Sequence, residues 1–297
     1  SGLFEQNANL GAEFLLSHLD YLQPTYELNC VDIIHDTSRL EAYKQRINNG
    51  QRNFIPLPFE EMNRELYGYQ RGEELFLWLA LSGLGKSQCI VMSMERASRE
   101  GYRVGCYSPE LSTERMGLRY DSAREHIPNS ALNKGLLVPG YEKYYDNMLK
   151  SNEHIFVLDN ASLGSGMITV QQCINFVKSN RLDILFIDGI VYVRPIGWHN
   201  RMTQAESMGL VGRQLFQLSK EYNIPVVCAV QARRRSNEKR TEEETISDSQ
   251  SVFGSFELTQ AATRIVSINR SASALKFCNV KSRYTKEGNS WLYNYDF

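Results

Sequence analysis

Glu74-Leu-Phe-Leu-Trp-Leu-Ala-Leu-Ser-Gly-Leu-Gly-Lys-Ser87 is the stretch that decides the fold. Leu75 to Leu81 is an unbroken apolar run, the pattern of a strand buried in a sheet. Ser82-Gly83-Leu84-Gly85 interrupts it, and KSQCIVMSMERASREG continues from Lys86 as a helix. Strand, glycine-rich loop and helix in that order form the setting of a phosphate-binding loop. Gly83 and Gly85 let backbone amides approach a polyphosphate, and the helix N-terminus favours negative charge. Lys86 reaches the terminal phosphates and Ser87 offers a hydroxyl to Mg²⁺. The residues expected around the nucleotide are Ser82, Gly83, Leu84, Gly85, Lys86, Ser87 and Gln88. Ala80 stands where the usual first glycine of the motif would be.

Downstream, strand and helix patterns alternate. VGCYS, HIFVLD, DILFIDGIVYV and PVVCAVQ read as strands. STERMGLRYDSARE, TVQQCINFVKSN and TQAESMGLVGRQLFQLSKEY read as the helices between them. Alternation at this spacing predicts right-handed crossovers and a mostly parallel sheet. TRIVSINR, ALKFCNVKSRY and SWLYNYDF read as terminal strands, the last two joined by the turn-like TKEGN into an antiparallel hairpin. LDILFIDG ends an apolar strand on Asp188, about a hundred residues after Lys86. A carboxylate there suits the second nucleotide motif, in which it holds Mg²⁺ through water.

Upstream, residues 1–50 read as a helical arm or linker and residues 51–297 as the ATPase domain. LGAEFLLSHLDYL carries an apolar face and stops at Pro24. TSRLEAYKQRI has Thr37 or Ser38 as its N-cap and ends at Asn48-Asn49-Gly50. The chain begins Ser-Gly, with no signal peptide following.

Composition sets limits. Apolar residues make up 42% of the 297, a globular proportion, and no run approaches a membrane span. The net charge of −1 means that any nucleic-acid binding must come from a local basic surface. Six widely spaced cysteines, with no CxxC pair, exclude the common zinc patterns and read as buried reduced thiols of a cytosolic protein.

From about Ile47 to Phe297 the chain resembles the C-terminal ATPase domain of DnaB-type replicative helicases. IPLPFEEMNRELYGYQRGEELFLWLALSGLGKS looks like that family's entry into its phosphate loop, including the alanine at the first motif position. CYSPELSTERM looks like the next motif, usually written SLEMS, and implies that Glu110 polarises the attacking water. YNIPVVCAVQARRR implies that Gln231 senses the γ-phosphate. FCNVKSRYTKEG implies that Lys281 and Arg283 are presented to the neighbouring subunit's ATP. The two also alternate along a strand and so share a face. Two departures stand out. The family's acidic strand usually continues Asp-Tyr-Leu-Gln, whereas this chain has Asp188-Gly-Ile-Val, and Pro109 precedes Glu110. No segment matches the family's N-terminal collar domain, which contacts primase.

The resemblance implies a RecA-like core of α/β class, ATP and Mg²⁺ as cofactors, a hexameric ring, and primase or a helicase loader among the partners. It also implies a DNA channel lined by two loops. One runs from Arg194 to Arg201 and includes Trp198 and His199. The other begins Arg233-Arg234-Arg235 and continues through Lys239-Arg240 before turning acidic at Glu242-Glu243-Glu244. Arginines can track phosphates while aromatic rings stack on bases. The expected activity is ATP-driven movement on single-stranded DNA with duplex unwinding, in the cytoplasm, or in that of a bacterial host if the chain is phage-encoded. Two other readings of the residues stay open: a RecA-like recombinase or mediator, and a nucleotide-binding scaffold that docks on a helicase.

Overall fold

Strands that are apolar at every position need cover on both faces, and this chain supplies it with helices. The computed structural model describes residues 30–163, 167–232, 256–270 and 274–294. The helix expected at LGAEFLLSHLDYL and the loop from Arg233 to Glu244 lie outside those residues. The chain divides into two units, residues 1–50 and 51–297.

In the first unit, Ser38–Asn49 is a helix that ends on Gly50, whose N–H donates to the carbonyls of Arg46 and Ile47. Thr37 occupies the N-cap position but its side chain makes no capping bond. Leu40, Tyr43 and Ile47 are exposed at helical spacing.

The second unit begins with the strands β1 (Phe54–Ile55) and β2 (Tyr69–Gln70), which pair antiparallel on either side of the helix Glu60–Leu66. The remaining strands are β3 (Leu75–Ala80), β4 (Arg103–Ser108), β5 (His154–Asp159), β6 (Ile168–Thr169), β7 (Ile184–Ile187), β8 (Val193–Arg194), β9 (Val226–Gln231), β10 (Arg264–Arg270), β11 (Ala274–Ser282) and β12 (Ser290–Asn294). Eight of them form one sheet in the order β12-β11-β10-β3-β9-β7-β4-β5. From β10 to β5 neighbouring strands are parallel, and β10, β11 and β12 pair antiparallel. The RecA-like α/β core and the terminal hairpin are therefore as the sequence led one to expect.

Alternation along β3 builds both cores. Leu75, Leu77 and Leu79 pack on one face of the sheet with the helices Val170–Asn180 and Gln204–Tyr222. Phe76, Trp78 and Ala80 pack on the other with the helix Lys86–Arg99. Each fully buried leucine on this strand stabilises the fold by roughly 1.5–3 kcal/mol. The helix Gln204–Tyr222 is fixed at its start by a capping box between Thr203 and Glu206.

Two readings need correction. Asp183 to Val193 does not run on as one strand. β7 stops at Ile187, a 3-10 turn covers Ile190–Tyr192, and β8 pairs with β6 in a separate ribbon. Gly189 causes the break, because its φ of 130° is open to glycine and strained for other residues. The cysteines are free, and Cys89, Cys106, Cys173 and Cys228 are buried, but Cys30 is exposed.

Candidate active site

In a parallel sheet with helices on both faces, the loops at the C-terminal strand ends converge where the strand order reverses. Here β3 leads to a helix and then to β4, three places away, with β9 and β7 between them. The C-terminal ends of β3, β9, β7 and β4 therefore bring together the phosphate loop, Gln231, Asp188 and the Pro109-Glu110 segment.

The loop's geometry explains its residues. Ala80 is the last residue of β3, buried and without positive φ, so alanine serves at this position. Gly83 and Gly85 have φ of 80° and 89°, and a Cβ on either would meet nothing within 4 Å. It is conformation, not space, that calls for glycine here. Gly85 precedes the helix Lys86–Arg99, whose first amides face the loop. Ser82 and Gln88 are exposed, while Leu84, Lys86 and Ser87 are half-buried. Lys86 Nζ donates to the carbonyls of Ala80 at 3.1 Å and Leu81 at 2.9 Å. Burial holds the Lys86 ammonium below its ordinary pKa, opposed by Asp188 and Glu110.

Ser87 and Asp188 are joined directly: Ser87 Oγ donates to Asp188 Oδ1 at 3.0 Å. Asp188 is buried, and burial pushes its carboxyl above the usual carboxylate range, with the Ser87 hydrogen bond opposing. Glu110 raises it further, while Arg119 and Lys86 lower it. Arg119 lies on the helix Thr113–Glu125 and was not singled out from sequence, because only the folded chain brings it near Asp188.

Glu110 sits on a braced turn. The Ser108 hydroxyl bonds both the carbonyl and the amide of Leu111. Asn160 Nδ2 donates to the Pro109 carbonyl at 2.8 Å, and Tyr107 donates to Asn160 at 2.6 Å. Thr113 N donates to Asp159. The carboxylate of Glu110 is exposed and accepts from Tyr192 Oη at 3.3 Å. Tyr192 is a second participant that sequence reasoning missed.

Gln231 is exposed at the end of β9, level with Ala80. Lys281 and Arg283 are elsewhere. Lys281 Nζ donates to the carbonyls of Thr259 at 2.6 Å and Gln260 at 3.2 Å, and Arg283 also donates to Gln260 at 3.2 Å. The two cations thus share the C-terminal carbonyls of the helix Phe256–Ala261. Burial and then Arg283 hold the Lys281 ammonium below its ordinary pKa. Arg283 N donates to Thr263 O, and Thr263 N to Leu75 O. Arg283 therefore lies level with the start of β3, whereas the phosphate loop leaves its far end. At about 3.3 Å per residue the strand separates the two by roughly 16 Å.

Of the loop residues expected to meet nucleic acid, Arg194 ends β8 and its guanidinium lies over the Trp198 ring, 4.4 Å from the centroid. Trp198 and Arg201 are exposed. Gln214 clamps this loop, accepting from Ile196 N at 2.8 Å and donating to Ile196 O at 3.0 Å. Arg233, Arg234 and Arg235 lie outside the described residues. Among those residues, no helix is long and apolar enough to cross a membrane.

Comparisons with known proteins bear on this arrangement. The family model of the DnaB-like helicase C-terminal domain matches residues 55–287. The replicative DNA helicase DnaB of Geobacillus stearothermophilus is 24% identical over 224 residues, which is 74% of this chain and 48% of the relative. That of Rhodothermus marinus is 23% identical over 272 residues, 89% of this chain and 28% of the relative. The chain thus spans about half, or less, of the length of these relatives. Among solved structures, one described as an ATPase domain superposes with a TM-score of 0.71 at 17% identity, covering 86% of this chain and 93% of that one. A DnaB-like replicative helicase, studied with its interactions with primase, gives 0.74 at 16% identity, covering 99% and 72%. These two likenesses show the fold.

Proposed function

The chain belongs to the DnaB-like helicase C-terminal domain family, and from that premise we propose that it is an ATP-driven motor that moves on single-stranded DNA and unwinds duplex during replication. The observation that carries this reading is the hydrogen bond from Ser87 Oγ to Asp188 Oδ1 beneath the phosphate loop, with Glu110 at the next strand end but close enough to perturb Asp188.

The residues fit Mg-ATP. Gly83 and Gly85 leave open space over the loop. The Lys86 ammonium rests on carbonyls that a phosphate can replace as its partner. Mg²⁺, when bound, neutralises phosphate charge and draws electron density from the γ-phosphoryl group. Ser87 and Asp188 would hold it, through the Ser87 hydroxyl and the Asp188 carboxylate that lie side by side. Glu110 orients the attacking water and accepts its proton. Gln231, level with the end of β3, senses whether the γ-phosphate is present.

Lys281 and Arg283 complete a neighbour's site in this reading. The place of Arg283 at the opposite end of β3 from its own phosphate loop is what supports it. Subunits arranged head to tail present one end of each sheet to the other end of the next, and such heterologous contacts form a ring where the rotation between subunits closes. A hexamer is the ring we propose. The exposed stripe Leu40, Tyr43 and Ile47 on the arm suits a contact with a second copy of the chain.

DNA binding falls to Arg194 and Arg201 on the clamped loop, with Trp198 for stacking, and to Arg233, Arg234 and Arg235. Primase or a helicase loader is a further proposed partner, and the cytoplasm, a bacterial host's if the chain is phage-encoded, is the proposed place of action. Strand displacement from a forked DNA tests the whole reading. It is expected with Mg-ATP and lost in Glu110→Gln. Displacement that needs no ATP, or none under any condition, would contradict it.

A further inference from the structure

Two departures from the family's sequence pattern, Gly189 and Pro109, lie at different strand ends yet come close together, with the Tyr192 ring against Gly189. A Cβ on Gly189 would stand 2.9 Å from Tyr192 Cδ2 and 3.3 Å from Pro109 Cγ. The tyrosine ring therefore occupies space that any other residue at 189 would take. The φ of 130° at Gly189 and the 3-10 turn it starts, with Tyr192 N donating to Gly189 O at 3.1 Å, bring the ring back over that residue. So placed, Tyr192 Oη reaches Glu110 Oε1 at 3.3 Å.

We infer that Tyr192 is a positioning residue for Glu110, seated by Gly189 beside Pro109, and that it holds the carboxylate in the orientation from which it serves the attacking water. The inference rests on Glu110 as the base that activates water.

The need for such a residue follows from the site. The backbone under Glu110 is braced at Ser108, Pro109 and Thr113. The side chain above it is long and exposed, and rotates freely unless something fixes it. A hydroxyl that donates to one carboxylate oxygen restricts that rotation and leaves the other oxygen to accept a proton. The donor keeps its hydrogen, because burial and then the Glu110 charge push the Tyr192 hydroxyl's pKa up. Preorganised geometry of this kind acts on the chemical step rather than on nucleotide affinity.

Tyr192→Phe is the test, since it removes the hydroxyl and keeps the ring against Gly189. Measured as steady-state ATPase on the assembled protein with single-stranded DNA, kcat should fall roughly tenfold, the size expected for a hydrogen bond to a charged group. KM for ATP should stay within about twofold of the parent. A merely structural tyrosine would not show the second signature: in a Glu110→Ala background, Tyr192→Phe should leave the residual rate unchanged. An unchanged or raised kcat in the single variant overturns the inference, as does an equal loss in the Glu110→Ala background. Glu110→Gln separates the two ideas. If it is inactive while Tyr192→Phe is normal, positioning alone fails; if Glu110→Gln turns over normally, the role of the glutamate fails and positioning falls with it.

Discussion

Replacing Arg283 by alanine should nearly abolish turnover while leaving ATP binding intact, and the loss should be repairable by a neighbour. Arg283 is fixed to the start of β3 through Thr263, and the strand puts roughly 16 Å between it and its own phosphate loop. Its guanidinium rests on the Gln260 carbonyl and over the Phe216 ring, 5.5 Å from the centroid. Nothing about that position serves the site of the same subunit. An arginine supplied from outside to a phosphoryl-transfer site contributes about 10³–10⁵ in rate in GTPase examples. Arg283→Ala should therefore lower kcat by a few orders of magnitude and change ATP affinity little. Lys86→Ala should fail for a different reason, loss of productive nucleotide binding. Mixing the two dead proteins decides the matter. In an equimolar ring with random order, about one interface in four pairs an intact phosphate loop with an intact Arg283. ATPase activity should reappear on mixing and peak near equal amounts. Full turnover in Arg283→Ala alone would refute the reasoning. So would a complete lack of recovery at every ratio once subunit exchange is demonstrated.

Glu110→Gln should bind ATP with near-normal affinity and not hydrolyse it, in contrast to Lys86→Ala; equilibrium binding of a fluorescent ATP analogue beside phosphate release distinguishes them. Changing Arg233, Arg234 and Arg235 together to alanine should weaken single-strand binding and flatten its dependence on salt by roughly two units of slope, at about −0.7 per phosphate contact. An unchanged slope would make that segment a solvated surface. Deleting residues 1–36 should lower the assembly state at equal concentration, as sized by light scattering, and an unaltered size would mean the arm serves its own subunit.

The parallel core was legible because its strands are continuous apolar runs, and the phosphate loop because strand, glycines and Lys86-Ser87 occur in one short stretch. Local signals fail where distant residues decide the geometry. The break after Ile187 was not visible, since Ile190, Val191 and Val193 are as apolar as the strand before them and only Gly189 marks the turn. The helices Asn129–Asn133 and Tyr141–Met148 are short, and the second is tied down by Asp121, which accepts from Tyr141 and Tyr144 at 2.6 and 2.7 Å. The buried pair of Arg264 Nε with Glu74 Oε1, 3.3 Å apart, joins the starts of β3 and β10 across most of the domain's length in sequence. In the same way, the candidate residues Lys86, Ser87, Glu110 and Asp188 could be named from motifs. Arg119, Tyr192 and the Gln214 clamp could not, because each matters only through a neighbour from another strand or helix.

ATP hydrolysis with and without single-stranded DNA, on protein whose assembly state is known from light scattering, tests the central claim most directly. A motor of this kind should hydrolyse slowly alone and several-fold faster with the strand, and the stimulated rate should vanish in Lys86→Ala. ATP binding without turnover, or turnover indifferent to single-stranded DNA, would contradict the account.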